Sequence, residues 1–245
     1  MIERLEMTRG FTLIEFIIVI MVVGVLATVA VRKIGTSLET AKYEHTKKEL
    51  NALAAAIVGN PGLYSSGART DFGYVGDIGA MPPNLDALVT SPGGFATWDG
   101  PYINRGVDLS GFKQDAWNVA YTFIDTLLRS SGSGINIDKI IANSTAALLS
   151  NSVKGTVTDA DRDLPGTTYS DSLVVRLTFP DGSGSMTTTS VNPDAKGCFS
   201  FSGVPIGNQT LSVIYIPDTD TVSYQVCVSP ARVIKMDLVF PADLW

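Results

Sequence analysis

From Phe11 to Val31 the chain is apolar at nearly every position, and the one charge in the run is Glu15. An apolar run of about 20 residues is the length an α-helix needs to cross the hydrocarbon of a bilayer. Beyond it the patterning changes. Tyr43, Thr46, Leu50, Leu53 and Ile57 recur at three- and four-residue intervals, which predicts a continuing helix with one buried stripe. Glu44 and Lys48 form a favourable i,i+4 pair on its solvated side. Gly59-Asn60-Pro61-Gly62 ends it. The predicted rod has about 50 residues and is roughly 70 Å long at 1.5 Å per residue.

Residues Pro61 to Ala80, rich in Gly, Ser and Asp, read as a long loop. Met81-Pro82-Pro83-Asn84-Leu85-Asp86-Ala87-Leu88 predicts a short proline-led helix. Val119–Ile124 and Thr126–Arg129 read as short strands, with Tyr121 and Phe123 on one face. Together with Trp98, Tyr102 and Trp117 these aromatics are expected to form a core. From Asn151 the pattern becomes short alternating strands between turns, near 152–158, 172–179, 185–191, 198–202, 209–216, 222–228 and 232–240. So many short strands in under about 100 residues predict an antiparallel β-sandwich.

Charge and chemistry narrow the function classes. The net charge is −6 with no Lys/Arg stripe, which argues against a nucleic-acid partner. His45 is the only histidine and lies on the rod helix, where it reads as a surface or packing residue. A Ser-His-Asp or Cys-His site is therefore not expected. No G-x-S-x-G, P-loop, H-E-x-x-H, dinucleotide fingerprint or zinc spacing occurs, and the chain is expected not to be an enzyme. Asp159, Asp161 and Asp163 have the spacing that opens an EF-hand loop. Leu164 and Ser170 stand where that loop needs Gly and Glu, so an acidic turn is the reading.

A carboxylate within a membrane helix is expensive, and such a residue is by default a functional hypothesis. An ordinary secretory signal has a shorter apolar core, and a plain anchor explains the length of the run but not Glu15. The residues Gly10-Phe11-Thr12-Leu13-Ile14-Glu15 followed by the apolar helix resemble the class III signal peptide of the type IV pilin and pseudopilin superfamily. Arg4 and Arg9 on one side are matched by Arg32 and Lys33 on the other, so charge bias leaves the orientation open. The resemblance implies that residues 1–10 are a cytoplasmic leader, cut by a prepilin peptidase between Gly10 and Phe11, with methylation of the new Phe11 amine. It implies that residues 11–31 form the transmembrane and filament-core helix. It also implies that Glu15 pairs with the Phe11 amine of a neighbouring subunit; snorkelling of Glu15 to the headgroups is the alternative. Many members kink this helix with a proline, where this chain has Arg32.

The middle of the chain carries a second resemblance. Pro83-x-Leu85-x-x-Leu88, Trp98-Asp99-Gly100-Pro101-Tyr102 and Asp115-Ala116-Trp117-Asn118-Val119-Ala120-Tyr121 are similar to segments of the major pseudopilin of type II secretion. That family has a calcium loop after its last strands, which makes Asp138, in Ser130-Ser131-Gly132-Ser133-Gly134-Ile135-Asn136-Ile137-Asp138, a calcium candidate; a plain Gly/Ser turn is the alternative, and no other cofactor is expected. Gly155–Ala160, Leu164-Pro165-Gly166 and Gly197–Gly207 resemble transthyretin-like or carboxypeptidase regulatory-like sandwiches.

The fold class expected is therefore α+β. A membrane-spanning helix would lead into a pilin-like α/β head over residues 32–150, then a transthyretin-like sandwich over 151–245. In a compartment that permits disulfides, Cys198 and Cys227 most simply pair, closing a loop of about 30 residues for roughly 3–4 kcal/mol; free buried thiols are the alternative. The function implied is a structural subunit of a type IV filament, first a type II secretion pseudopilin anchored in the bacterial inner membrane with a periplasmic C-terminus. Its partners would be other pilins or pseudopilins, the prepilin peptidase and an inner-membrane assembly platform. A pilin of an adhesive or motile surface fibre and a membrane-anchored binding module are the alternatives.

Overall fold

The computed structural model describes residues 12–103 and 111–243. Helix α1 runs from Leu13 to Val58, 46 residues. By its internal contacts the chain divides into two units, one through His45 and one from Thr46. In the first unit every described residue from Thr12 to Ala41 is exposed, including the apolar side chains from Leu13 to Leu38.

In the second unit α1 is amphipathic, as its spacing predicts. Thr46, Leu50, Leu53, Ala54, Ala56 and Ile57 are buried. Tyr43 of the expected stripe stays 41% exposed. The helix closes where Gly59 donates to the Ala55 carbonyl at 2.7 Å. Arg69 then reaches back to cap it, donating to the carbonyls of Val58 and Asp71. The segment expected as a long loop is more ordered than that. It forms a hairpin, β1 (Tyr64–Ser65) with β2 (Ala68–Arg69), and helix α2 (Gly73–Ile78). Tyr74, Val75 and Ile78 bury one side of α2, but six residues are too few for a period to stand out in the sequence. The expected proline-led helix is a 3₁₀ turn, Leu85–Leu88, capped by the Asn84 side chain.

Strands β3 (Thr122–Ile124), β4 (Leu127–Ser130) and β5 (Ile137–Ile140) form a small antiparallel sheet. Helix α3 (Thr145–Leu149) follows. A first core joins Leu50, Leu53 and Ile57 of α1 to Tyr74, Ile78, Leu88, Leu128 and Leu148. Tyr121 belongs to it, and Trp98, Tyr102, Trp117 and Phe123 pack against it, so the aromatics are core residues as expected.

The rest is β-rich: β6 (Asn151–Thr158), β7 (Leu173–Pro180), β8 (Met186–Val191), β9 (Cys198–Val204), β10 (Gly207–Tyr215), β11 (Asp220–Val228) and β12 (Val233–Val239). One sheet has the order β11-β10-β7-β8, antiparallel throughout. The other has the order β12-β6-β9. Alternate residues of both sheets meet in a second core. Leu173, Val175, Leu177, Val213 and Val226 come from the first sheet, and Val153, Val157, Phe199, Phe201 and Leu238 from the second. The chain is thus α+β, with a long apolar N-terminal helix and a sandwich-like pair of sheets. One pair departs from the antiparallel pattern: β12 runs parallel to β6. The preceding strand, β11, lies in the opposite sheet, so the chain crosses over before β12 and enters beside β6 in the same direction.

Candidate assembly site

Helix α1 opens with a reciprocal cap. Glu15 Oε2 accepts from the Thr12 backbone N–H at 2.9 Å and from its hydroxyl at 2.8 Å. The Thr12 hydroxyl oxygen accepts from the Glu15 N–H at 3.4 Å. This is the T-x-x-E capping box, written in the sequence as Thr12-Leu13-Ile14-Glu15, a role for Glu15 beyond those expected of it. The carboxylate also sits in the first turn of the helix, where the macrodipole favours negative charge. Gly10 and Phe11, the residues expected to be processed, lie outside the described residues. Beyond the cap, α1 presents an apolar surface to its surroundings on all sides as far as Val31. Such a surface needs lipid or other apolar helices around it.

The turn that resembles a pseudopilin segment is organised by Asp115, which is 4% exposed. Its Oδ1 accepts from the amides of Trp117 and Val119, both at 2.9 Å. Its Oδ2 accepts from the Ser130 hydroxyl at 2.6 Å and the Gly132 amide at 2.9 Å. Burial raises the carboxyl pKa, but the Ser130 hydroxyl and the three amides outweigh it and hold the group below its ordinary value. The Ala116 amide donates to Thr46 Oγ1 at 3.2 Å, which ties the same turn to α1. Gly132 is required by close approach: a Cβ there would lie 2.4 Å from Asp115 Oδ2.

One candidate residue is located here, and one expectation, the disulfide, is corrected. The calcium candidate Asp138 lies on β5 and holds Arg129 through two hydrogen bonds of 2.7 Å. In the neighbouring Gly/Ser turn the Ser130 hydroxyl and the Gly132 N–H donate to Asp115. Among the described residues no group of three His, Cys, Asp or Glu side chains is placed to hold a metal. The Cys198–Cys227 disulfide is also absent, and both thiols are free. Phe199 on β9 and Val226 and Val228 on β11 point into the second core, so their neighbours Cys198 and Cys227 point out of it. The thiols therefore sit on the outer faces of opposite sheets, and facing sheets are about 10 Å apart before either outer face is reached.

The outer face of β12, β6 and β9 carries an open concavity of about 860 Å³, lined by Lys154, Thr156, Asp194, Ser200, Lys235 and Asp237. A smaller cavity of about 280 Å³ lies where α2 meets β7, β8 and β10, and Asp77, Thr97, Asn208 and Gln209 line it. Asp77 Oδ2 accepts from the Tyr102 hydroxyl at 2.9 Å, and that hydroxyl accepts from the Asp99 amide at 3.1 Å. Burial pushes the Asp77 carboxyl up to about 6; the Tyr102 hydrogen bond opposes the shift, and Asp99 and Asp71 add to it. Neither cavity was legible in the sequence, because the strands and loops that line each one are distant along the chain.

No protein-family model matches the chain. Over 108 residues it is 31% identical to the type II secretion system core protein G of Xanthomonas campestris pv. campestris. The chain resembles that protein over part of its length. The alignment covers 44% of this chain and 62% of the relative. Among solved structures, the dioxygenase domain of a dioxygenase carbohydrate-binding protein fusion from Streptomyces sp. SirexAA-E overlaps at a TM-score of 0.31 and 14% identity, over 42% of this chain and 86% of that one. The major pilin subunit of Bacillus cereus overlaps at 0.21 and 14% identity, over 51% and 41%. Overlaps this small carry no argument about this chain.

Proposed function

We propose that the chain is a structural subunit of a type IV filament, of the pseudopilin kind that serves type II secretion. The observation that carries this reading is α1 itself. One continuous helix is apolar and exposed as far as Val31 and buries one stripe, from Thr46 to Ile57, in a folded domain. That is the arrangement a subunit needs to pass from lipid into a bundle of like helices while keeping its head in water. The similarity to a type II secretion core protein supports it. In this reading the leader is removed after Gly10 and the Phe11 amine is methylated. The helix is anchored in the inner membrane with the head and sandwich on the periplasmic side. Other pseudopilins, the prepilin peptidase and the assembly platform are the partners.

Glu15 has two separable jobs in this proposal: its oxygen caps α1 through Thr12, and its charge meets the Phe11 amine of a neighbour. Glu15→Gln keeps an oxygen for the cap and removes the charge. Cleavage should continue in this variant and filament assembly should fail. Normal filaments from Glu15→Gln would leave Glu15 with the cap alone. Intact mass of membrane-extracted protein tests the whole reading: loss of Met1–Gly10 and one added methyl is expected. A full-length, unmethylated chain would overturn it.

A further inference from the structure

On the outer face of the β12-β6-β9 sheet the strand register sets the polar side chains in rows. Lys235, Lys154 and Ser200 are neighbours across the three strands, and Asp237, Thr156 and Cys198 form the next row. Paired strands lie about 4.8 Å apart, and like charges directly opposite each other on a sheet are unfavourable. Both lysines are exposed, and among the described residues neither has an ion pair. The carboxylates of the same concavity are held locally. Asp237 Oδ1 accepts from the Thr156 hydroxyl at 2.8 Å, and Asp194 Oδ1 accepts from the amides of Lys196 and Cys198, both at 2.8 Å. The lysine row is therefore a cationic strip in the concavity of about 860 Å³. Val233, two residues before Lys235 and so on the same face, adds an apolar side chain that is 56% exposed.

The complementary surface is the turn between β10 and β11. It is exposed from Ile216 to Asp220, carries Asp218 and Asp220, and leaves Ile216 48% exposed. The Ile216 amide donates to the Ser172 carbonyl at 2.8 Å, which brings exposed Asp171 beside the turn. No Lys or Arg occurs between Lys196 and Arg232, so β10, the turn and β11 hold no cation of their own. Among the described residues Asp171, Asp218 and Asp220 have no ion pair. We infer that the acidic β10–β11 turn of one copy of the chain docks on the lysine row of a second copy, with Ile216 against Val233 and the carboxylates against Lys154 and Lys235. Opposite charge in the two patches fixes the register of the contact. The turn belongs to one sheet and the lysine row to the outer face of the other, so each copy offers two different patches. Contacts of that kind are heterologous and propagate into open chains instead of closing on themselves. The contact rests on the filament reading for one thing, copies of the chain held side by side.

The test uses the full chain in phosphatidylcholine vesicles with Thr219→Cys and Cys227→Ser, which leaves Cys198 as the one other thiol. Cys198 lines the concavity and Thr219 lies in the turn, so a docked pair brings the two thiols together. Oxidation with copper phenanthroline is expected to give a ladder of disulfide-linked dimers, trimers and longer chains. Lys154→Glu with Lys235→Glu, or Asp218→Lys with Asp220→Lys, should each reduce the ladder at least about tenfold, and mixing the two variants should restore it. All four side chains are exposed, so these changes leave the fold intact. No ladder, a dimer band without longer species, or a ladder indifferent to charge reversal would each overturn the inference. Intact mass reads leader removal separately, so failure of this contact and failure of the filament reading are told apart.

Discussion

Replacing Asp115 by Ala removes the acceptor for four donors at once. Not all four losses count equally. Val119 is exposed and Trp117 is half-buried, so water can reach their amides after the change. Ser130 is fully buried and Gly132 partly so, and water reaches their donors poorly. A hydrogen bond to a charged acceptor contributes about 1.5–3 kcal/mol, and an unsatisfied buried donor costs about 1–3 kcal/mol. Two such losses give about 3–5 kcal/mol for Asp115→Ala. Asp115→Asn keeps one oxygen and should lose about half of that. Urea unfolding of the chain in detergent, followed by tryptophan fluorescence and circular dichroism, measures both. The carboxyl also has a folded pKa below its ordinary 3.8. Its contribution is therefore present above about pH 4 and disappears as pH falls through the folded value. Wild type should lose stability on that acid limb by more than Asp115→Asn does. A loss under about 1 kcal/mol for Asp115→Ala would refute the view that this carboxylate holds the turn to the β4–β5 hairpin.

Asp77 has the opposite sign. Its folded pKa of about 6 lies above the ordinary 3.8, so the protonated form favours folding and that gain fades as pH rises through about 6. Asp77→Asn should be more stable than wild type at pH 8 by about 1 kcal/mol once solvent screening is discounted, and that advantage should vanish by about pH 3, below the ordinary carboxyl value; thermal melts at both pH values would show it. Native-state maleimide labelling should find two free thiols, with exposed Cys198 reacting at least about tenfold faster than half-buried Cys227; a single mobility shift on reduction would contradict this. Arg69→Met should cost about 2–3 kcal/mol in urea unfolding, because the side chain of this buried arginine caps α1 at Val58 and binds the Asp71 carbonyl; an unchanged midpoint would mean that water replaces it freely.

Much of the fold was legible because local pattern carries it. The three–four spacing through Leu50, Leu53 and Ile57 placed the buried stripe of α1, and Gly59 placed its end. The predicted strands of the β-rich region match those observed to within about two residues at each end, since alternation along a strand is local. The capping box at Thr12 and Glu15 is equally local, but inside an apolar run the cost of the Glu15 charge is the stronger signal and masks it. Helix α2 and strand β5 escaped because each is too short for a period to emerge.

The sequence by itself determined that an exposed apolar helix precedes an amphipathic one, and that alternating strands follow. Tertiary structure alone decided which strands are neighbours. Alternation puts Cys198 and Cys227 on the outward side of their own strands, but only the assignment of β9 and β11 to opposite sheets keeps them apart. Likewise nothing local distinguishes Asp115, surrounded by four donors, from Asp77, half-buried with the Tyr102 hydroxyl as its donor. A carboxylate's chemistry depends on the atoms packed against it, and here those come from residues far away along the chain.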